Sequence, residues 1–259
     1  MESAQITTQT PSAILTVMLV AFLVMGVIQV FALYFHLARF TVFEIILLLA
    51  LPFFFYLTAL PAVASTLLAG DVAALKAIID MARLLDVPLL RFGNATLAFN
   101  LVGFSIPVFI SAKMLLQKRI PVKETLLLVA IISVVSFLYT YFEPDKGMVI
   151  YMFAIPPILA AAIAFMLKKM KGASDFNSAL LSYAGATLGI LIGADVGNLY
   201  RALTYRWDET IVISVGGGGI MDAIFLAGVI ALFADLVFRT QEENVFGGLA
   251  KLFTAHRHR

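Results

Sequence analysis

The sequence predicts an all-α membrane protein, a polytopic bundle of about seven transmembrane helices that forms one domain over residues 1–259. Hydrophobic residues make up 62% of the chain and charged residues only 13%, against roughly half and about a quarter in a soluble domain. Because so few polar residues cannot cover a water-exposed surface, most of the outside is expected to face lipid. Long apolar stretches, and the position of the charges between them, support the same conclusion.

Seven apolar stretches have the length of about 20 residues that crosses about 30 Å of hydrocarbon as a helix. They are Ala13 to Leu37, Val42 to Leu68, Asn94 to Leu116, Thr125 to Phe142, Gly147 to Leu167, Ser178 to Tyr200 and Ile211 to Phe238. Prolines predict bends in the second and fifth of these spans. Two other segments, near residues 72–83 and in the tail 239–259, predict amphipathic helices that lie at the membrane interface or pack on loops.

Lys and Arg are distributed unevenly over the connections, and this predicts the orientation because positive charge stays on the cytoplasmic side. Of the 18 Lys and Arg, 12 fall in the odd-numbered connections and the C-terminal tail. The others fall in the even-numbered connections. We therefore expect a multi-pass protein of the plasma membrane with its N-terminus outside and residues 239–259 as a cytoplasmic tail.

The sixth predicted span carries a row of small residues at every fourth position. They are Gly185, Gly189, Gly193 and Gly197. One stripe of this helix is therefore almost free of side chains, and close packing of another helix is its expected role. Asp195 and Asn198 lie on a different face, with Asp195 roughly 140° from the centre of the stripe. The span is predicted to lie in the middle of the bundle.

The seventh predicted span contains four consecutive glycines, Gly216–Gly219, shortly before Asp222. Such a run forms helix poorly, and unwound backbone is tolerated at membrane depth only inside protein or beside a water-filled cavity. We therefore expect a broken helix whose second half begins near Ile220 and points its N–H groups into a cavity. Asp222 then either binds a ligand there or simply caps the helix.

These features favour a permease or an ion-coupled transporter, because intramembrane carboxyls and unwound backbone suit proton or cation binding. The candidate site for a solute or ion comprises Asp195, Asn198, Gly217, Gly218, Gly219 and Asp222. If the two carboxyls share a site, one proton is expected to lie between them. The expected partners are the lipid bilayer and a small solute, proton or cation, with an oligomer or a membrane complex left open.

Other classes of chemistry find no support in the sequence. With three histidines and no cysteine, no metal site or cofactor is predicted. A net charge of +2 gives no reason to expect nucleic-acid binding. No specific enzyme motif is present, so the sequence leans away from an enzyme.

Two segments of the sequence carry a resemblance to a known family. They run from Tyr183 to Asp195 and from Gly216 to Gly228. Together with the region of Pro156 and Pro157, they resemble an uncharacterised prokaryotic membrane-protein family, a domain of unknown function. The resemblance extends over roughly Asn94 to Phe238 and implies no particular activity.

A weaker resemblance bears on mechanism. An acid on one span, followed on the next by a glycine-rich stretch and a second acid, is similar to presenilin-type and prepilin-type intramembrane aspartyl proteases. The resemblance implies that Asp195 and Asp222 are a catalytic pair, one acting as general base on water and the other as acid. The chain departs from those enzymes because Ile220 and Met221 separate the glycines from the second acid, and no Pro-Ala-Leu motif follows it.

Three interpretations therefore stand beside one another. The first is an ion-coupled transporter, and the second is an intramembrane aspartyl protease. The third is a non-catalytic subunit or scaffold of a membrane complex, in which the glycines only pack and the acids only cap helices.

Overall fold

The computed structural model describes residues 28–50, 52, 83–144, 147–171, 176–219 and 222–242. The chain divides into two compact units, Met1–Ile78 and Ile79–Arg259. Helices account for most of the described residues, as predicted, but strands are present as well. The prediction of an all-α fold is therefore wrong in part. The predicted amphipathic helix near residues 72–83 and most of the tail 239–259 lie outside the described residues.

The described part of the first unit contains two helices. Helix α1 is Ile28–Leu37, and helix α2 is Val42–Ile45, continued by a π-helical turn over Ile46–Ala50. At the start of α2 the Thr41 hydroxyl accepts a hydrogen bond from the Glu44 N–H at 3.3 Å, and Glu44 Oε2 accepts one from the Thr41 N–H at 2.8 Å. This reciprocal pair satisfies N–H groups that a helix start leaves open, and gives the buried Glu44 carboxylate a donor.

The second unit alternates strands and helices. From residue 86 its elements are β1 (Asp86–Phe92), β2 (Ala95–Asn100) and α3, which is π-helical over Leu101–Ser105 and α-helical over Ile106–Leu116. Next come α4 (Val122–Tyr139), β3 (Thr140–Glu143), β4 (Gly147–Ile150) and α5 (Ile155–Lys171). Helix α6 covers Ser178–Thr204 with a π-helical stretch at Leu191–Val196, and β5 (Ile211–Val215) and α7 (Ala223–Glu242) follow.

Three of the predicted spans begin as β-strands. Strands β2, β4 and β5 form the first residues of the third, fifth and seventh predicted spans. Hydropathy misses them because a buried strand and a buried helix both consist of apolar residues, although the β-branched residues of β5 favour a strand. The seventh predicted span is therefore a strand, a glycine turn and a helix, and not one helix broken in the middle.

Strands β1, β2 and β5 form one sheet with β2 in the centre. Strands β1 and β2 are an antiparallel hairpin in which Asp86 pairs with Asn100, and β2 and β5 pair in parallel from Ala95 with Ile211 to Phe99 with Val215. The carboxyl ends of β2 and β5 therefore lie side by side. A separate hairpin joins β3 to β4.

Helix α6 is the centre of the second unit, where it packs on α3, α4, α5 and α7. Of its apolar 18-residue stretch, 78% is buried, against 33% for α4. Among the described residues, α4 and α6 are the two helices that are long and apolar enough to cross a membrane. The prediction of about seven such helices is not supported.

The four glycines of α6 lie against α4. A Cβ atom added at each would overlap with the facing residues, which in order are Leu128, Ile132, Ser133 and Phe137. At Gly193 the nearest atom is the backbone carbonyl oxygen of Ser133, only 2.1 Å from the added Cβ, whereas at Gly197 the nearest atom belongs to the Phe137 ring at 3.0 Å. The missing side chains let α6 and α4 touch backbone to backbone at Gly193.

Candidate functional site

Asp222 immediately precedes α7 and is held at both of its carboxyl oxygens. Oδ1 accepts a hydrogen bond from the Ile224 N–H at 2.9 Å, which is the usual bond of an N-cap residue. Oδ2 accepts a second one from the Gly218 N–H at 3.3 Å. Asp222 therefore caps the helix and is also tied to the glycine turn, while its side chain stays half-buried.

The glycine run that precedes Asp222 forms an ordered turn. Gly216 and Gly219 have φ of +75° and +59°, which glycine adopts without strain. The Gly217 N–H donates to the Ser214 carbonyl oxygen at 3.3 Å, and the Gly219 N–H donates to the Gly216 carbonyl oxygen at 2.9 Å. The helix expected near Ile220 begins instead at Ala223.

This turn packs directly on the start of α3. A Cβ atom added at Gly103 would lie 2.1 Å from the Gly216 carbonyl oxygen, and one added at Gly216 would lie 2.5 Å from the Phe104 backbone nitrogen. The two backbones meet because each follows the carboxyl end of its strand, and the strands are paired in parallel. A side chain at either glycine would separate them.

Asp195 lies in the π-helical stretch of α6 and is half-buried. Its negative charge interacts with that of Asp222, so the two acids singled out in the sequence are near each other in space. In contrast to Asp222, Asp195 receives no hydrogen bond on its carboxyl from the described residues. Stretches of π-helix are frequent at functional sites.

Asn198 hydrogen-bonds to its own helix. Its Nδ2 donates to the carbonyl oxygens of Gly193 at 3.2 Å and Ala194 at 3.0 Å, and the side chain is fully buried. A π-helical turn disturbs the regular pattern of backbone hydrogen bonds, and the Asn198 amide supplies donors there. Its contacts thus stabilise the stretch that carries Asp195, whereas a role in binding an ion stays a prediction.

A third carboxyl, Asp86 at the start of β1, also belongs to this site. Its charge interacts with that of Asp222. Its Oδ1 accepts hydrogen bonds from Ser214 Oγ at 2.6 Å and from Asn100 Nδ2 at 2.8 Å. Sequence reasoning missed Asp86 because it follows a charged connection. Recognition of the β1–β2 hairpin, with Asp86 opposite Asn100, is the signal that reveals it.

The arrangement is suited to proton transfer. Asp195 and Asp222, the two interacting acids of the site, are each half-buried. Within the described residues, no group of three His, Cys, Asp or Glu side chains is arranged to hold a metal ion. Two interacting carboxyls can share a proton, which makes a base and an acid available at the same place.

Comparison with known proteins identifies the family and no activity. Residues 69–234 match the family model described as "Protein of unknown function (DUF1614)". The matched range includes the three carboxyls and the glycine turn. No curated protein and no solved structure matches the chain. The expectation of an uncharacterised family is thus confirmed, and because the match extends over more than half of the chain, this protein belongs to the DUF1614 family of proteins of unknown function.

Proposed function

We propose that this protein is a multi-pass membrane protein that hydrolyses peptide bonds, with Asp195 and Asp222 as its catalytic carboxyls. The observation that carries the proposal is the proximity of two half-buried acids, Asp195 in α6 and Asp222 at the start of α7. Hydrolysis by an aspartyl pair needs this proximity, because one carboxyl activates water while the other protonates the substrate.

The surface of α4 supports a membrane location. Four apolar side chains on this helix are between 50% and 73% exposed: Leu126, Leu127, Val134 and Leu138. A water-soluble protein rarely exposes such a large apolar patch without a partner. Both α4 and α6 are long and apolar enough to cross a bilayer. Lipid is therefore the proposed neighbour of the exposed face of α4.

The two ends of the second unit differ in character. Basic residues lie where α3 and α5 end and α4 begins: Lys113, Lys118, Arg119, Lys123, Lys168, Lys169 and Lys171. Exposed aromatic residues lie at the other end, near β3, β4 and the end of α6: Tyr139, Tyr141, Tyr151, Phe153, Tyr200 and Tyr205. Because positive charge favours the cytoplasmic side and aromatic rings the membrane interface, the basic end is proposed to face the cytoplasm.

Asp222 is suited to be the general base. The N–H groups of Gly218 and Ile224 donate to its two oxygens, and such donors stabilise an ionised carboxylate. Asp195 has no such donor among the described residues. We therefore assign Asp195 the role of general acid.

The proposed reaction consumes one water. Ionised Asp222 takes a proton from water as the water oxygen attacks the peptide carbonyl carbon, and Asp195 gives its proton to the carbonyl oxygen. Asp222 then gives its proton to the amide nitrogen, the C–N bond breaks, and Asp195 regains a proton from one hydroxyl. The products are a carboxylic acid and an amine, and both carboxyls return to their starting states.

Strand β5 offers a place for an extended substrate. Within the described residues, β5 is an edge strand that pairs with β2 on one side. It leads directly into the glycine turn and Asp222. A peptide that adds to its free edge would gain backbone hydrogen bonds and run toward the two carboxyls.

The protease proposal is tested with Asp195→Asn and Asp222→Asn, each incubated in detergent micelles with a fluorogenic single-span membrane peptide. We expect the wild-type protein to release two fragments whose summed mass exceeds that of the substrate by one water. Loss of either general acid–base group should lower the cleavage rate by about 100- to 10,000-fold. The matched control is Asp208→Asn, which changes an exposed acid and should leave the rate unchanged.

Two results would contradict the protease proposal. One is cleavage at the wild-type rate by both asparagine variants. The other is failure of the wild-type protein both to cleave the peptide and to bind a peptide analogue that carries a hydroxyethylene group in place of the scissile amide.

A second candidate, proton-coupled transport, is favoured by a row of buried polar groups between α6 and α7. The row comprises Ser178, Ser182, Thr187 and Asp235, all 0% exposed. Ser182 Oγ hydrogen-bonds to the Ala231 carbonyl oxygen of α7 at 3.4 Å. Within the described residues, the Ser178 and Thr187 hydroxyls and Asp235 Oδ1 have no hydrogen-bond partner, while Asp235 Oδ2 is paired with Arg239. Such groups are expected along a polar pathway.

Proton flux into proteoliposomes that contain a pH-sensitive dye tests the second candidate. Transport predicts a flux that Asp235→Asn and Thr187→Val abolish and that Ser105→Ala, which changes a partly buried hydroxyl in α3, leaves intact. A flux equal to that of protein-free liposomes would overturn the transport interpretation. The structure supports transport less than the sequence does. The sequence predicted a broken seventh transmembrane helix, but strand β5 stands where the first half of that helix was expected.

A further inference from the structure

Asp86, at the start of β1, receives hydrogen bonds from both of the other strands of its sheet. Ser214 of β5 and Asn100 of β2 both donate to its Oδ1, at 2.6 Å and 2.8 Å. One carboxyl oxygen therefore joins the start of β1 to the carboxyl ends of both other strands. Hydrogen bonds to a charged acceptor are the stronger kind, so this junction is well suited to hold the sheet edge in place.

The two donor residues, Ser214 and Asn100, make further hydrogen bonds, one set with the glycine turn and the other with the start of α3. The backbone carbonyl of Ser214 accepts a hydrogen bond from the Gly217 N–H at 3.3 Å, so the serine that contacts Asp86 is also the first residue of the turn. On the other side, Asn100 Oδ1 accepts from the N–H groups of Val102 and Gly103, both at 3.0 Å. These bonds fix the start of α3.

The start of α3 and the glycine turn, which these hydrogen bonds hold, are in contact at Gly103 and Gly216. The contact is backbone to backbone, since a Cβ atom at Gly103 would lie 2.1 Å from the Gly216 carbonyl oxygen. The turn is therefore held from β5 by Ser214 and from α3 by Gly103. From this turn the Gly218 N–H donates to Asp222 Oδ2.

We propose that Asp86 is a positioning residue, which with Asn100 and Ser214 holds the glycine turn in the conformation that orients Asp222. The inference rests on the proposed peptide hydrolysis and extends it to a residue that does not contact the substrate. The negative charges that face Asp222 from the neighbouring elements are those of Asp86 on β1 and Asp195 on α6. Misplacement of a catalytic group by as little as about 1 Å can lower a rate by about 100-fold.

The test compares Asp86→Ala with Asp86→Asn. Alanine removes the acceptor for Ser214 and Asn100, so kcat for the membrane peptide should fall by about 10- to 100-fold with KM unchanged. Asparagine retains a side-chain oxygen at the same position and should restore most of kcat. Rescue by asparagine separates positioning from a general loss of folding, and Asp208→Ala is the matched exposed control.

A second measurement does not depend on cleavage. Hydrogen exchange followed by mass spectrometry should show faster exchange of the backbone amides in residues 214–222 of Asp86→Ala than of Asp86→Asn. Wild-type kcat in Asp86→Ala, or unchanged exchange in this segment, would overturn the inference while the proposed hydrolysis stands. A wild-type protein that neither cleaves the peptide nor binds the hydroxyethylene analogue would instead overturn the hydrolysis itself.

Discussion

Asn100 shows how one side chain can organise a site that it does not line. The side chain is fully buried, donates to Asp86 and accepts from two backbone N–H groups at the start of α3. Such an amide is hard to interpret in the sequence, since an Asn in an apolar stretch suggests a contact between helices. Asp195 and Asp222 are easier to identify because acids are rare inside long apolar stretches.

Asn100→Ala is expected to destabilise the protein by about 1–3 kcal/mol, because it leaves buried N–H groups without an acceptor. The free energy of unfolding in mixed micelles, measured by denaturant titration, checks this value. Asn94→Ala is the control: Asn94 donates from an exposed position to the Trp207 carbonyl oxygen at 3.0 Å. Equal effects of the two substitutions would argue against a special role for Asn100.

At the scale of elements, the sequence predicts helices and their packing better than it predicts strands. The glycine spacing in α6 predicted a surface for close helix packing, and this surface lies on α4. Strands β2, β4 and β5 lie inside long apolar stretches that hydropathy predicts as helices, because apolar residues alone do not distinguish a buried strand from a buried helix. The π-helical stretch around Asp195 also has no sequence signal, since its conformation depends on how α6 packs.

The packing of α6 on α4 gives a second prediction. Gly193→Ala should destabilise the protein by about 1–3 kcal/mol, because the new methyl group meets the Ser133 backbone carbonyl, which cannot rotate away. Gly197→Ala should have a smaller effect, because its methyl group meets the Phe137 ring at 3.0 Å, and a ring can turn. Thermal unfolding of both variants measures the difference, and a Gly197→Ala effect as large as that of Gly193→Ala would argue against it.

At the scale of the whole molecule, the proposed orientation can be tested because the chain has no cysteine. Single cysteines introduced as Asp208→Cys and Gln117→Cys lie at exposed positions at opposite ends of the second unit. A membrane-impermeant maleimide added to intact cells should label the first variant, whereas the second should react only after permeabilisation. The opposite pattern would reverse the proposed orientation.

The parallel pairing of β2 with β5 also has a consequence for synthesis. Ala95 can pair with Ile211 only after the 115 residues between them have been synthesised. Contacts so distant along the chain form late, because a long loop must close before they are made. The glycine turn, and with it the alignment of Asp222, therefore forms only after the last strand is in place. The proposed catalytic site is thus among the last parts of the second unit to form.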